Sequence, residues 1–206
     1  VFGGEVGGVL KMADGVLLLG AAFEGPMPQT RFVLSKALEL GLRPVVVINK
    51  VDKPNCRAEE VHDQVFDLFY NLDATEEQLD FPTFYGSSKQ GWFNTSLEET
   101  DNIFPLLDGI LEHVPAPEAK EGPLRMQIVS LDFSSFLGRI AIGKIIQGSV
   151  KESQWIGLAQ EDGKIVRGKV KELYVFEGLG KQKVQEVTAG DMWAIVGFGK
   201  FMIGMS

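Results

Sequence analysis

The chain has 206 residues, of which 45% are apolar and 23% charged, as in ordinary globular proteins. No apolar run approaches the roughly 20 residues of a membrane span, no signal peptide opens the sequence, and the single cysteine, Cys56, cannot form an internal disulfide. We therefore expect a cytoplasmic protein that does not enter a membrane.

The charges are divided unevenly along the chain. Residues 1–121 carry nine Lys and Arg against twenty Asp and Glu, whereas residues 122–206 carry eleven Lys and Arg against eight Asp and Glu. This asymmetry predicts two domains, of which the second, with a net charge of +3, is the better neighbour for a polyanion.

The first half of the chain alternates predicted helices and strands. Apolar residues at helical spacing predict the helices, and short apolar runs that end at polar or glycine-rich loops predict the strands. Because such alternation builds parallel sheets with right-handed crossovers, we expect an α/β fold with three parallel strands. The predicted helices span residues 2–13, 30–40, 58–72 and 101–113, the predicted strands 16–19, 45–48 and 83–85, and a turn falls at 25–28.

Polar residues follow the second predicted strand at once, as Asn49, Lys50 and Asp52. Open parallel sheets bind ligands at the carboxyl ends of their strands. Asp52 can accept hydrogen bonds from N1–H and the exocyclic amine of guanine, a donor pair that adenine lacks. Asn49 can tie this loop to its neighbour through both ends of its amide, and the stem of Lys50 can lie along the base. The spacing predicts a guanine-binding loop, although on its own it fits an ordinary polar turn equally well.

A second polar loop, formed by Ser87, Ser88 and Lys89, follows the third predicted strand. The two loops should lie side by side, since neighbouring parallel strands end at the same edge of a sheet. The Ser88 N–H could then donate to guanine O6 while Lys89 covers the base. Alone, this segment is more typical of a serine-rich turn, but two complementary loops at one edge favour a nucleotide site.

The second half is predicted to be a small antiparallel β-barrel. It follows a proline-rich linker at residues 115–121, and its hydrophobic period changes from helical to two, with glycine turns between short strands. Arg167, Lys169 and Lys171 fall on one face of one strand. Such residues usually form a solvated face, but in a positive domain they hint at RNA contact. The predicted strands span residues 124–131, 139–147, 155–159, 166–174 and 192–196.

One segment of the barrel imitates a phosphate-binding loop. Gly138 to Lys144 fits the pattern G-x-x-x-x-G-K, but Ile145 replaces the Ser or Thr that would bind Mg²⁺. A true phosphate loop leads from a strand into a helix, whereas this stretch has the apolar alternation of a strand. The two histidines and one cysteine show no metal-ligand spacing, so we predict no catalytic and no metal-binding residue in the chain.

Longer segments in both halves share one family pattern: Phe2-Gly-Gly-Glu-Val6, Glu24-Gly-Pro-Met-Pro-Gln-Thr-Arg-Phe-Val33, Val47-Ile-Asn-Lys-Val-Asp52, Glu77-Gln-Leu-Asp-Phe-Pro82 and Val175-Phe-Glu-Gly-Leu-Gly180. They resemble the BipA/TypA family of ribosome-associated translational GTPases. The resemblance implies that residues 1–114 are the C-terminal half of a GTPase domain and that 122–206 are the barrel following it in translation factors. It also implies binding of GTP or GDP through the two loops, action on the ribosome, and contact of the barrel with ribosomal RNA.

The resemblance sets limits as well. The family's phosphate-binding loop, first switch and Asp-x-x-Gly-His segment would precede Val1, so we expect Mg²⁺ binding and GTP hydrolysis only together with such a segment. Two other functions stay open: a guanine-binding unit without hydrolysis, and a ribosome or RNA interaction module in which the barrel makes the contacts. In the family, a strand that precedes Val1 would lie against Val16 to Leu19, so we expect this strand to be an apolar edge that can pair with another chain.

Overall fold

The computed structural model describes residues 2–160 and 163–197. Contacts within the chain divide it into two compact units. One unit, called here the α/β unit, comprises residues 13–116. The other, called the β unit, joins the first twelve residues to those from 117 onward. One unit is α/β and the other is rich in β-strands, which agrees with the fold class expected from the sequence.

The α/β unit contains the strands β1 (Val16–Ala21), β2 (Pro44–Asn49), β3 (Thr83–Ser87) and β4 (Trp92–Asn94), which form one sheet in that order. The first three strands are parallel, as the sequence predicted. β4 pairs antiparallel with β3 and makes the sheet mixed. No sequence pattern predicts β4, because three residues are too few to display a period of two.

Five helices lie in the described residues, close to four predicted helices and with one addition. Helix α5 begins three residues later than predicted, because the Asn102 side chain accepts the Phe104 N–H at 2.9 Å and Pro105 fits only the first turn. The turn expected at 25–28 lies earlier, at residues 22–24. The helices are α1 (Phe2–Leu10), α2 (Pro28–Glu39), α3 (Ala58–Tyr70), α4 (Glu76–Leu79) and α5 (Phe104–His113). None of these described helices is long and apolar enough to cross a membrane.

The core of the α/β unit forms between β2 and α3. All four residues of the apolar run 45–48 are buried in β2, as expected for a strand covered on both faces. Val61, Val65 and Phe69 of α3 are buried against the sheet on the predicted stripe. Each such side chain contributes roughly 1.5–3 kcal/mol to folding through burial. This packing fixes the carboxyl end of β2, where the Asn49 loop begins.

A buried amide joins helices α2 and α4. Gln78 is 5% exposed, and its Nε2 donates to the carbonyl oxygens of Leu38 and Leu42 at 3.2 and 3.1 Å. Its Oε1 accepts the Thr75 N–H at 3.0 Å, while the Gln78 N–H donates back to the Thr75 hydroxyl. This capping box satisfies helix ends that the core would otherwise leave unpaired.

Strand β1 lies at the edge of its sheet, as the sequence predicted. Leu18 is buried in the core, whereas Leu17 and Leu19 are 42% and 67% exposed. An apolar strand edge of this kind is a template for pairing with another strand. Pairing with a second chain stays a prediction.

The β unit contains a five-stranded sheet and two short ribbons, all antiparallel. Its strands are β5 (Arg125–Ser134), β6 (Gly138–Gln147), β7 (Ser149–Lys151), β8 (Trp155–Ala159), β9 (Ile165–Lys169), β10 (Glu172–Glu177), β11 (Gly180–Val184), β12 (Glu186–Thr188) and β13 (Met192–Val196). The large sheet has the order β11-β10-β13-β6-β5, and the ribbons are β12-β7 and β8-β9. Lys181 of β11 and Asp132 of β5 form an ion pair, so the two outer strands of the large sheet meet, as in a barrel.

In the β unit, one sequence prediction is wrong and another is confirmed. The predicted strand at 166–174 is wrong, because the backbone changes partner in its middle. The Val170 N–H donates to Gln154 O and the Lys171 N–H to Val196 O, which splits the segment into β9 and β10. Lys171 therefore does not share a strand face with Arg167 and Lys169. The G-x-x-x-x-G-K segment lies wholly within β6, and this confirms that it is not a phosphate loop.

Helix α1 packs on β5. It ends at Leu10, three residues before the predicted end, in a turn where the Met12 N–H donates to Val9 O at 3.0 Å. A Cβ at Gly8 would lie only 3.0 Å from the Val129 carbonyl oxygen, so this glycine permits the close approach of helix and strand. This glycine, which weakens α1 as an isolated helix, thus serves its packing.

Candidate functional site

The candidate site lies where β2 and β3 end. Asn49 is the last residue of β2 and Ser87 the last of β3, and the strands pair in register through Ile48 and Tyr85. The Val51 N–H also donates to the Gly86 carbonyl oxygen at 3.2 Å, joining the two loops by their backbones. The sheet thus brings together the two loops singled out in the sequence.

Asn49 fastens one loop to the other. Its Oδ1 accepts the Lys50 N–H at 2.7 Å and the Ser88 N–H at 3.0 Å. Lys50 has a φ of 66°, and the first of these bonds holds that left-handed residue in place. The expected tie between the loops is therefore present, but it uses Oδ1 rather than both ends of the amide. The Ser88 N–H, predicted to donate to guanine O6, is engaged by Asn49, so a base bound here must share or replace that bond.

Asp52 is oriented by the other loop. The Ser87 hydroxyl, fully buried, donates to Asp52 Oδ1 at 2.7 Å. This hydrogen bond is the largest cause that holds the pKa of the Asp52 carboxyl below its ordinary value of 3.8; partial burial opposes it, and Lys53 and Lys89 assist. Asp52 is consequently an ionised acceptor at neutral pH, with a fixed orientation.

Each of the two loops carries an exposed lysine. Lys50 Nζ lies 5.4 Å from the centre of the Phe23 ring, a cation–π distance, and Lys89 follows Ser88 in the second loop. Phe23 was not singled out from the sequence, although its position just after the first strand was a usable signal. Beside Asn49 and Lys50, a cleft of about 230 Å³ extends along the end of β1 to Thr30.

The groups at this site can recognise a ligand through hydrogen bonds and charge. It offers one oriented carboxylate, a backbone N–H, and cationic side chains with alkyl stems. Across the described residues, no group of three or more His, Cys, Asp or Glu side chains could hold a metal ion. His62 packs near the Phe81 ring, 5.5 Å between centres, and Cys56 is exposed. The arrangement suits a planar ligand that presents two adjacent donors to Asp52.

The basic residues expected to contact RNA belong to the β unit. Arg167 and Lys169 belong to β9, Lys171 follows it, and all three are exposed.

Comparison with known proteins gives consistent matches. The family described as the elongation factor Tu GTP binding domain matches residues 1–116. Curated proteins described as large ribosomal subunit assembly factor BipA match 98% of this chain, at 49% identity in a Synechocystis strain, 48% in Escherichia coli K12 and 45% in Bacillus subtilis. The chain spans about a third, 34%, of the length of these relatives. Among solved structures, the bacterial selenocysteine-specific elongation factor EF-Sec is similar over 91% of this chain and 29% of its own, with a TM-score of 0.64 and 21% identity, which is a likeness of fold.

Proposed function

Since the chain belongs to the elongation factor Tu GTP-binding domain family, and within it to the BipA/TypA group, we propose that its α/β unit reads the guanine base of GTP or GDP for a GTPase acting on the ribosome. The observation that carries this proposal is the pair of linked loops. Asn49 accepts from Ser88, and Ser87 donates to Asp52, so the residues of both guanine-reading motifs are held together at one edge of the sheet.

Each residue has a defined role in the proposal. Asp52 accepts from N1–H and the exocyclic amine of guanine, with Ser87 setting the direction of its carboxylate. The Ser88 N–H donates to O6, and Asn49 retains the Lys50 N–H when Ser88 turns to the base. The stems of Lys50 and Lys89 cover the two faces of the ring. Adenine would leave both polar partners unsatisfied, and a site built on such pairs rejects a ligand that leaves them unpaired.

The proposal assigns base recognition to these residues and phosphate chemistry to others. Phosphate anchoring, Mg²⁺ and water positioning supply nearly all the rate of phosphoryl transfer. Two segments of the β unit have the spacing of a phosphate loop, 138–144 and 163–169, and the second Gly and the Lys of each lie within a strand, β6 and β9 respectively. We therefore propose that these 206 residues bind guanine nucleotides without hydrolysing them, and that Mg²⁺ and hydrolysis require phosphate-contacting residues from a further segment.

The ribosome is the proposed partner. The curated relatives are described as assembly factors of the large ribosomal subunit. The positive balance of residues 122–206 and the exposed Arg167, Lys169 and Lys171 support contact between the β unit and ribosomal RNA. Action on the ribosome also implies a cytoplasmic protein. A module that only binds RNA is the second candidate, and the same three residues favour it.

Competition between nucleotides tests the guanine proposal. GTP should displace a labelled guanine nucleotide from the chain, and ATP should not. Asp52→Asn replaces an acceptor by a donor, so it should turn the preference from guanine to xanthine. Asp67→Asn, an exposed change on α3, is the matched control and should leave the preference unchanged. Equal displacement by ATP and GTP would remove the proposal and leave the RNA module.

Phosphate release tests the second part. The purified chain should release no phosphate from GTP above background, with or without ribosomes. A rate that rises in proportion to the amount of protein and falls in the Asp52→Ala variant would show that these residues suffice for hydrolysis.

A further inference from the structure

The β8–β9 ribbon presents an outward face that the guanine site does not use. We propose that this face binds an unpaired nucleotide of RNA, with its base stacked on Trp155 and its phosphates held by Arg167 and Lys169. The inference rests on the proposed action on the ribosome, which supplies the RNA, and it specifies the kind of RNA and the residues that bind it.

The register of the ribbon places these side chains together. Trp155 lies opposite Lys169, and Gly157 lies opposite Arg167. Directly opposed residues of antiparallel strands share a face, so the aromatic ring and both cations point the same way. The alternate residues Ile156 and Leu158 point inward and are buried in the core of the β unit. The ribbon is therefore anchored on one face and open on the other.

Trp155 is unusual among the tryptophans of this chain. It is 68% exposed, whereas Trp92 and Trp193 are 4% and 0% exposed. Covering a large exposed aromatic surface with a ligand lowers the free energy, because it removes apolar area from water. A nucleobase is a suitable partner, since every base offers a flat face for stacking.

The centre of the face is recessed. Gly157 contributes no side chain, and a depression of about 770 Å³ is lined by Trp155, Ile156, Gly157, Ile165 and Arg167. Ile165, 70% exposed, leans over the glycine, because a Cβ at Gly157 would meet its Cγ2 at 2.9 Å. An apolar wall and an aromatic ring thus flank a gap beside a guanidinium group.

The charges of this face are not used within the described part of the protein. Lys151, Lys181 and Lys183 of the β unit each pair with a carboxylate, of Glu186, Asp132 and Glu152 respectively. Among the described residues, neither Arg167 nor Lys169 has a carboxylate within ion-pair distance. Two cations beside an exposed indole suit a phosphate backbone with a stacked base. The bases of duplex RNA are already stacked, so the occupant is single-stranded.

Two readouts on the 206-residue chain test the proposal. The affinity for a labelled single-stranded oligouridylate is measured by fluorescence anisotropy, and stacking by quenching of tryptophan emission, which reports mainly Trp155 because the other two rings are buried. We expect quenching on binding, and weaker binding of duplex RNA of equal length. Trp155→Leu should weaken binding at least about fivefold, while Trp155→Phe, which keeps a ring, should stay within about twofold.

The cations are tested by salt dependence. Arg167→Ala and Lys169→Ala should each reduce the slope of log affinity against log salt by about 0.7, the value for one phosphate contact on a single strand. Lys151→Ala, on a different strand of the same unit, is the matched control and should leave the slope unchanged. Thermal unfolding of every variant shows that the fold is kept.

Three outcomes would overturn the inference. Oligouridylate could bind Trp155→Leu as tightly as wild type, or could leave Trp155 emission unchanged. Alternatively, oligoglutamate could quench Trp155 and displace the RNA equally well, which would make this a site for acidic peptides. Guanine selectivity is measured on the same samples. If it persists while Trp155 is silent, this inference alone fails; if it is lost while quenching persists, the guanine proposal fails instead.

Discussion

Gly86 controls the geometry of the candidate site, and its replacement by alanine gives the most informative single perturbation. Gly86 pairs with Phe93 where β3 meets β4, directly before Ser87, and its carbonyl accepts the Val51 N–H. A Cβ at Gly86 would lie 2.2 Å from the Trp92 carbonyl oxygen. Because that atom belongs to the backbone, a rotamer change cannot relieve the overlap. To restore a separation of 3.0 Å, the strands must move apart by about 0.8 Å.

The size of the effect follows from this overlap. Overpacking costs about 1–3 kcal/mol of the free energy of unfolding, and the loss of glycine's unfolded-state freedom returns about 0.5–1 kcal/mol. Because the overlap is with a backbone atom, the upper end of the overpacking cost applies, and we expect Gly86→Ala to destabilise the α/β unit by about 2 kcal/mol, a fall in Tm of at least about 8 °C for a unit of some hundred residues. Guanine selectivity should fall as well, because the same movement displaces Ser87 from Asp52.

Gly20→Ala is the matched control for this prediction. Gly20 lies in β1 of the same sheet, and a Cβ at that position would lie 4.0 Å from its nearest neighbour, Val61 Cγ1. Alanine should therefore be neutral or slightly stabilising there. Thermal and denaturant unfolding, with the nucleotide competition described above, measure both variants. If Gly86→Ala were as stable and as selective as Gly20→Ala, the packing of β3 on β4 would not set the site.

Three further predictions concern the two loops, the buried amide and the sheet edge. Ser87→Ala removes the main cause of the lowered pKa of Asp52, so that pKa, measured by carboxyl NMR, should rise towards 3.8. Guanine binding needs the ionised carboxylate, so on acidification the variant should lose binding at a higher pH than wild type does. Ser88→Ala is the control, because it keeps its backbone N–H and should leave the pKa of Asp52 unchanged. Gln78→Glu loses two donors to the carbonyls at the end of α2 and should lower the free energy of unfolding by about 1–3 kcal/mol, which equal stability in urea would contradict. In hydrogen exchange, β1 should be the least protected strand of its sheet in a dilute monomeric sample; strong protection there would mean that the edge is covered from within.

The sequence predicted most accurately those elements whose local pattern and tertiary role agree. The apolar run of β2 is buried on both faces, and the stripe of α3 is the one that packs on it, so periodicity sufficed. The strand predicted at 166–174 failed because alternation continues through residue 170, where only the hydrogen bonds to Gln154 and Val196 show that the backbone changes sheets. Such a change depends on distant partners, which a local pattern does not contain.

The site shows the same division. Asn49, Asp52 and the serine loop were singled out from the chemistry of their side chains and their places after strands, and their role in guanine binding stays a prediction. The tie through Asn49 was also expected, but its atoms were not: the Ser88 N–H donates to Asn49 Oδ1 only once β2 and β3 are in register. Phe23 became visible as a partner of Lys50 only when the end of β1 was brought beside that of β2.

The central claim is that the Asn49 and Ser87 loops read guanine, and residue-resolved NMR of the 206-residue chain tests it most directly. Titration with guanosine monophosphate should shift the amide signals of residues 49–52 and 87–89 in a saturable manner. Above all, the Ser88 signal should respond, since its N–H must exchange Asn49 Oδ1 for the base. Adenosine monophosphate should leave these signals in place. Equal shifts with both nucleotides, or guanosine-dependent shifts confined to other parts of the chain, would contradict the account.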